Sequence, residues 1–169
     1  MSPSYLEPDA RTDTKALLLD YLDFYRDTIA DEVSGLSGED LRATRLPSRW
    51  SPLELVKHLV FMERRWLVWG FAGEDIPDPW GDHHGERWHV GDDESLSELL
   101  TQLREGGSRT RSIVEAAELA TAASPGGRFS GTEEPPSLIA ILFHVLHEYA
   151  RHAGHLDIAR ELADGQVGE

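Results

Sequence analysis

The sequence has no cysteine among its 169 residues. Disulfide bonds and thiolate metal sites are therefore excluded, and any metal ion must be held by His, Asp or Glu. If the chemistry of the protein involves a thiol, that thiol must arrive with a second substrate.

Long apolar runs and basic residues are also scarce. No stretch approaches 18 uninterrupted apolar residues, and residues 1–11 are polar, so we expect neither a membrane span nor an export signal, and hence a cytoplasmic protein. The 31 acidic residues outnumber the 16 Lys and Arg residues, which leaves a net charge of −15. Because such a surface repels phosphate backbones and anionic lipids, nucleic acid and membranes are not expected partners.

Apolar residues recur at helical spacing in four stretches, and no stretch shows the sustained alternation of a strand. With 40% hydrophobic and 28% charged residues, the chain is expected to form a single domain over residues 1–169. The predicted fold is all-α, a four-helix bundle with long crossover loops. The four predicted helices are residues 13–34, 51–70, 95–123 and 137–164.

Three local signals set the expected helix boundaries. Ser51, followed by Pro52 and by Glu54, predicts a capping box at the start of the second helix. Ser137, which follows two prolines, predicts another capped start. The Gly106–Gly107 pair predicts a kink or break inside the third helix.

The last predicted helix carries four histidines and a glutamate within twelve residues. A helical wheel places His152 inside the apolar stripe, Glu148 at its edge, His144 and His155 on the flank, and His147 on the far side. A buried imidazole beside a carboxylate is costly unless both are satisfied, and a metal ion satisfies both. A buried, hydrogen-bonded His–Glu network without metal is the alternative.

The second helix adds another inward histidine, His58, on the same face as Leu55 and Met62. Helices of a bundle can supply metal ligands to one centre from facing sides. His58, Glu148 and His152 therefore form a candidate three-ligand metal site. Catalytic zinc sites use three protein ligands and leave one position for water or substrate.

The long loop over residues 73–93 is rich in aromatic and imidazole side chains. The preferred interpretation is a crossover whose tryptophans cover the end of the bundle, and a lid near a site is the alternative. His83 and His84 are expected to be a solvated pair, and a second site that includes His89 matches no trusted spacing. The residues in question are Trp80, His83, His84, Trp88 and His89.

Two short motifs resemble the DinB/YfiT-like superfamily of metalloenzymes. Residues 50–52 (Trp-Ser-Pro) with His58 and Glu63 resemble the start of that family's second helix, and residues 152–155 (His-Ala-Gly-His) resemble the end of its metal motif. The resemblance covers nearly the whole chain and is closest to a small actinobacterial-type branch. It implies metal ligands at His58, position 148 and His152. Many members have histidine where this chain has Glu148, and mycothiol-dependent maleylpyruvate isomerase is similar in using His, Glu and His.

The resemblance also implies a function, because several members use low-molecular-weight thiols such as mycothiol or bacillithiol. It implies a divalent-metal enzyme, with zinc first and nickel, iron or manganese as alternatives. Such an enzyme would transfer a small-molecule thiol to an electrophilic substrate, or isomerise that substrate. His155, one turn from His152, is the candidate catalytic residue.

The alternative function is a non-catalytic metal-binding or stress-response bundle, considered as a homodimer. Its site would be structural and closed by a fourth protein ligand, His144 or His155. The preferred interpretation of Arg151 and Arg160 is that they form surface salt bridges. The alternative is that they bind carboxylates of the substrate.

Overall fold

A computed structural model of the chain describes residue 8 and residues 13–167. Four long helices dominate this part of the chain, and the all-α prediction is confirmed. The expectation of one domain over residues 1–169 stays a prediction, and its ends, residues 1–7, 9–12, 168 and 169, lie outside the described residues. No helix of the described part is long and apolar enough to cross a membrane.

The helices and strands follow in chain order. The long helices are α1 (Thr14–Val33), α3 (Pro52–Trp66), α4 (Leu96–Glu115) and α5 (Leu138–Asp164), and α2 (Gly38–Arg42) is a single short turn. A π-helical turn, Leu67–Phe71, continues α3, and a 3₁₀ turn, Gly127–Phe129, precedes α5. Two-residue strands, β1 (His83–His84) and β2 (Arg87–Trp88), pair antiparallel within the long loop.

The long helices pack around a shared core, and α1 and α3 also contact each other. Helix α1 contacts α4 and α5, and α3 contacts α4 and α5. The buried apolar side chains form one hydrophobic cluster between them. The predicted apolar stripe of α5 is buried throughout, at Leu138, Ile141, Leu142, Val145, Tyr149, Leu156 and Ala159.

Helices α3 and α5 run antiparallel, which decides where the site lies. Aromatic ring contacts join them at three levels, so that the start of α3 faces the end of α5. The ring centroids are 5.9 Å apart for Trp50 and His155, 5.1 Å for His58 and His152, and 4.0 Å for Trp66 and His144. Inward residues of α3 therefore meet inward residues of α5 in register.

The first backbone amides of α3 and α5 find their hydrogen-bond acceptors in different ways. The predicted capping box is confirmed, because the Ser51 side chain accepts from the Glu54 amide at 3.3 Å and Glu54 accepts from the Ser51 amide at 2.8 Å. Helix α5 begins directly after Ser137, as predicted, but the Ser137 side chain makes no capping hydrogen bond. Carbonyls of the preceding loop instead accept from the first amides of α5, with Leu138 N 2.8 Å from Thr121 O.

The prediction of a kink at the Gly106–Gly107 pair is wrong. Helix α4 runs unbroken through it and ends at Glu115, eight residues before the predicted end. Gly107 lies against α1, where an added Cβ would be 2.8 Å from Nε of Arg26. The glycine therefore permits close packing of an arginine against α4.

A buried carboxylate ties the four long helices together. Glu63 of α3 is 2% exposed and accepts a hydrogen bond from Arg26 Nε of α1 at 3.2 Å and from the Tyr149 hydroxyl of α5 at 2.6 Å. Thr110 of α4 donates to the same carboxylate. Burial lowers the pKa of Arg26, but the charge of Glu63 and its hydrogen bond, together with Tyr149 and Asp23, outweigh burial and raise the pKa.

Candidate metal centre

The three predicted ligands lie together between α3 and α5. Their donor atoms are all within 4.8 Å of one another. Glu148 Oε2 is 3.5 Å from His58 Nε2 and 3.4 Å from His152 Nε2. Both imidazoles are buried and the carboxylate is half-buried. The group could hold a metal ion, and that it binds one stays a prediction.

The spacing of these donors fits either a shared cation or long hydrogen bonds. Ligand atoms about 2.0–2.1 Å from a tetrahedral zinc ion lie about 3.3–3.4 Å from one another. Hydrogen bonds between such groups are about 2.7–3.2 Å long. The separations of 3.4 and 3.5 Å lie nearer the first range than the second, and the geometry fits both a metal site and a metal-free His–Glu network.

Asp82, in the long loop, orients the His58 ring. Because a carboxylate only accepts, the 3.1 Å contact from His58 Nδ1 to Asp82 Oδ2 is an N–H donation. The Nε2 atom then points to Glu148 with its lone pair free in the neutral ring. Two acceptors face each other there, so either a proton or a metal ion must lie between them.

Asp82 is itself held in place by charge. It is fully buried, and Arg65 donates to both of its oxygens at 2.6 and 3.1 Å. Burial acts to raise its pKa, but bonds from His58 and Arg65 keep the pKa well below the ordinary value. Nothing in the pattern of the loop distinguishes Asp82 from its acidic neighbours, so the sequence did not predict this residue.

Replacing Asp82 by asparagine should weaken zinc binding by about 10–100-fold, the usual cost of losing an outer partner of a ligand histidine. Asparagine preserves the shape of the side chain but removes the negative charge. That charge favours the His58 tautomer that has its proton on Nδ1 and a free lone pair on Nε2. Isothermal titration with zinc would measure the change. Asp92→Asn, an exposed change in the same loop, is the matched control, and equal affinities for both variants would contradict the orienting role.

The ligands also shift one another's protonation. Hydrogen bonds from His152 and His58 hold the pKa of Glu148 well below its ordinary value. Burial lowers the pKa of His58, but bonds to Asp82 and Glu148 outweigh it and raise the pKa above 6.5. In the metal-free protein a proton on His58 therefore takes the role that a metal ion would have.

These shifts predict opposite pH trends for metal-free and zinc-loaded protein. The raised pKa of His58 contributes stability that is fully present below pH 6.5 and is lost as the pH rises through the pKa of the folded protein. The lowered pKa of Glu148 contributes stability that is present above pH 4.5 and is lost as the pH falls through the pKa of the folded protein. The His58–Glu148 pair should therefore stabilise the metal-free protein most between pH 4.5 and pH 6.5. The additional stability that zinc gives should increase as the pH rises, because His58 loses the proton that competes with the ion. Thermal unfolding with chelator or zinc measures both, and a zinc effect that is constant across the range contradicts the assignment.

The long loop lies directly against the centre. The Trp88 indole stacks on His58 at 4.2 Å with the planes 19° apart, and its ring centroid is 5.4 Å from that of His152. The loop tryptophan thus contacts two ligand rings, which fits the alternative of a lid near a site. The expectation of a solvated histidine pair fails for His83, which is half-buried and donates to Asp82 at 2.9 Å, whereas His84 is exposed.

Other histidines border the centre without joining it. Among the described residues the group comprises three donors, and neither His144, His155 nor the loop histidines belong to it. His155 Nδ1 lies 3.2 Å from His152 Nδ1, and burial lowers the pKa of His155. The described residues add no fourth donor to this group. The role of His155 stays a prediction.

A surface pocket of about 200 Å³ opens beside the centre. Trp50, which contacts His155, and Trp88, which contacts His58, both line it. Its other lining residues are Ser48, Arg49, Glu86 and Arg87. A small molecule in this pocket would lie against Trp88, which contacts the rings of His58 and His152.

The fold and the donor group define an all-α bundle of the DinB/YfiT-like kind, with a His/Glu/His cluster between two antiparallel helices. The family model described as Mycothiol-S-transferase matches residues 17–165, and the chain belongs to this family. The resemblance seen in the sequence is confirmed. The family's name implies mycothiol as the thiol substrate. No match was found among curated proteins.

Proposed function

We propose that the protein is a metal-dependent S-transferase that joins mycothiol to a small electrophile. The convergence of His58 Nε2, His152 Nε2 and Glu148 Oε2 is the observation that carries this proposal. Membership of the mycothiol S-transferase family supplies the thiol. The chain has no cysteine, so the nucleophilic sulfur comes from that thiol.

His58, Glu148 and His152 would hold the ion. Two imidazoles and one carboxylate form a donor set that suits zinc, with nickel, iron and manganese as alternatives. A bound divalent cation would lower the pKa of a thiol that reaches it. A structural site would be closed by a fourth protein donor, and the three-member group among the described residues favours the catalytic alternative.

The surrounding residues prepare the centre for a thiol. Asp82 and Arg65 keep the His58 ring in one orientation, and Trp88 shields that ring from water. Exclusion of water strengthens electrostatic interactions with a sulfur anion. The thiol enters through the pocket lined by Trp50 and Trp88, because these two tryptophans contact His155 and the rings of His58 and His152.

His155 binds the sulfur of the thiol through a hydrogen bond. Because His152 would hold the ion through Nε2, its proton would lie on Nδ1, and this N–H would donate to His155 Nδ1, 3.2 Å away. The lowered pKa of His155 favours its neutral ring, which then carries its own proton on Nε2 and donates it in a hydrogen bond to the sulfur. The S–H proton passes to solvent, the sulfur forms a bond to the electrophilic carbon, and the leaving group departs with the electron pair of its bond.

Product formation tests the proposal directly. Zinc-loaded full-length protein is incubated with mycothiol and a chlorodinitrobenzene, and the thioether is measured by mass spectrometry. We expect turnover that depends on zinc, stops with chelator and is lower with glutathione or bacillithiol. Product at the rate of buffer alone, with every thiol and every divalent metal, would reject the transferase and favour the non-catalytic alternative.

A further inference from the structure

Arg128 is a partly shielded arginine without a carboxylate partner. It lies in the Gly127–Phe129 turn, and its guanidinium carbon is 4.4 Å from the Trp66 ring centre and 5.6 Å from that of Trp80. Within residues 13–167 its guanidinium makes no hydrogen bond or ion pair. The side chain is held only by the faces of two indoles.

Among the described residues the buried arginines each pair with a carboxylate, whereas the half-buried Arg64 and Arg128 do not. Arg26 binds Glu63, Arg65 binds Asp82 and Arg160 binds Asp164. The chain also has 31 acidic residues against 16 basic ones, so carboxylates are plentiful. Burial of a cation without an anion is unfavourable, and burial together with nearby Arg65 lowers the pKa of Arg128. An anion that arrives with a ligand would relieve this cost.

The backbone around Arg128 is built for close approach to α3. Gly127 has φ +57°, and a Cβ there would lie 2.0 Å from the Trp69 carbonyl oxygen. Glycine is the residue that tolerates both conditions. The Gly127–Phe129 turn therefore packs closely against the π-helical turn that continues α3. This packing places the Arg128 guanidinium over the Trp66 ring.

Trp66 links this arginine to the metal centre. Its ring lies 4.0 Å from that of His144, one helical turn before Glu148. Burial lowers the pKa of His144, while the Glu148 charge raises it and the Arg128 charge lowers it further, so both charges act on one ring. His144 and His155 are separated by about 16 Å along α5, with the ligands between them. Arg128 thus lies at the end opposite the Trp50–Trp88 pocket.

We propose that Arg128 binds a carboxylate of the electrophilic substrate, which makes the enzyme selective for acidic electrophiles. This inference rests on the proposed transferase function. A guanidinium stacked on an indole keeps its in-plane N–H groups free, and these can bind a carboxylate through two parallel hydrogen bonds. The thiol and the electrophile then approach the three donors from opposite ends of α5.

The test compares two electrophiles that differ only by a carboxylate, a chlorodinitrobenzoate and the matching chlorodinitrobenzene. Zinc-loaded full-length protein and mycothiol are used throughout. In Arg128→Gln, kcat/KM for the acid should fall about 10–100-fold, mainly through KM, because a charged hydrogen bond is lost. The neutral electrophile should change by less than about threefold. Arg128→Lys should recover part of the loss, since it keeps the charge without the paired N–H groups.

Arg104→Gln is the matched control, because it removes the same charge from an exposed position on α4, and it should alter neither substrate. Equal changes for both electrophiles in Arg128→Gln would overturn the inference while leaving the transferase intact. If no electrophile is turned over, binding of dinitrobenzoate is followed through the indole N–H signals of Trp66 and Trp80. Binding that requires Arg128 would then support the inference although the transferase had failed, and no binding to wild type would overturn it.

Discussion

Replacing His152 by alanine should lower zinc affinity by more than about 100-fold, whereas His147→Ala should leave it unchanged. Both residues lie on α5, but His152 is buried beside Glu148 and His147 is exposed. Loss of a partner outside the ligand shell already costs about 10–100-fold, and loss of a ligand should cost more. His58→Ala and Glu148→Gln should behave like His152→Ala.

Three measurements make this prediction specific to the centre. Competition with a chelating dye gives the zinc affinity, mass spectrometry gives the thioether, and circular dichroism checks that the helices persist. Zinc at 100 times its dissociation constant should stabilise the wild type by about 2.7 kcal/mol, and should not stabilise His152→Ala measurably. Stoichiometric zinc in His152→Ala, together with its loss in His147→Ala, would place the ion outside this group.

Replacing Glu63 by glutamine should destabilise the protein by about 3–5 kcal/mol, the usual cost of breaking a buried ion pair from one side. The Glu63 side chain, taken without its backbone, is 3% exposed, and the Arg26 side chain is 6% exposed. The variant would leave that guanidinium with Asp23 alone, whose side chain is 46% exposed. The bonds from Thr110 and Tyr149 would also lose their charged acceptor.

Urea unfolding measures the change, and an exposed ion pair of the same chain provides the control. Glu74→Gln removes the partner of Arg109, and both of these side chains are 48% exposed. Because water screens such a pair, the control should cost about 0–1 kcal/mol. A cost for Glu63→Gln no larger than that of the control would show that the buried carboxylate is not needed to join the four helices.

The local pattern was enough to predict the ligands as a group, for a reason specific to helices. A helix fixes the angle between residues, so the apolar stripe of α5 already orients His152 inward, Glu148 to the edge and His147 outward. The same reasoning orients His58 on α3. Two inward faces in a small bundle must meet in one core, so the pairing of these helices required little further information.

The errors came from residues whose partners are distant in the chain. Gly107 looked like a helix breaker but faces the Arg26 guanidinium, 81 positions away in sequence. Ser137 looked like a cap, although carbonyls near Thr121 satisfy the first amides of α5. Glu63 was noted only for its place in a family motif, yet it accepts hydrogen bonds from three other helices.

The sequence by itself determined the helical class, the starts of the four long helices, the inward direction of His58 and His152 and the place of Glu148 at the edge of the stripe. These features depend on periodicity and capping, which act within a few residues. Only the tertiary structure decided that Asp82 orients His58, that Trp88 covers it, and that Arg128 lies over Trp66 without a partner. Loops have no fixed period, so their contacts are set by how the chain packs against the bundle.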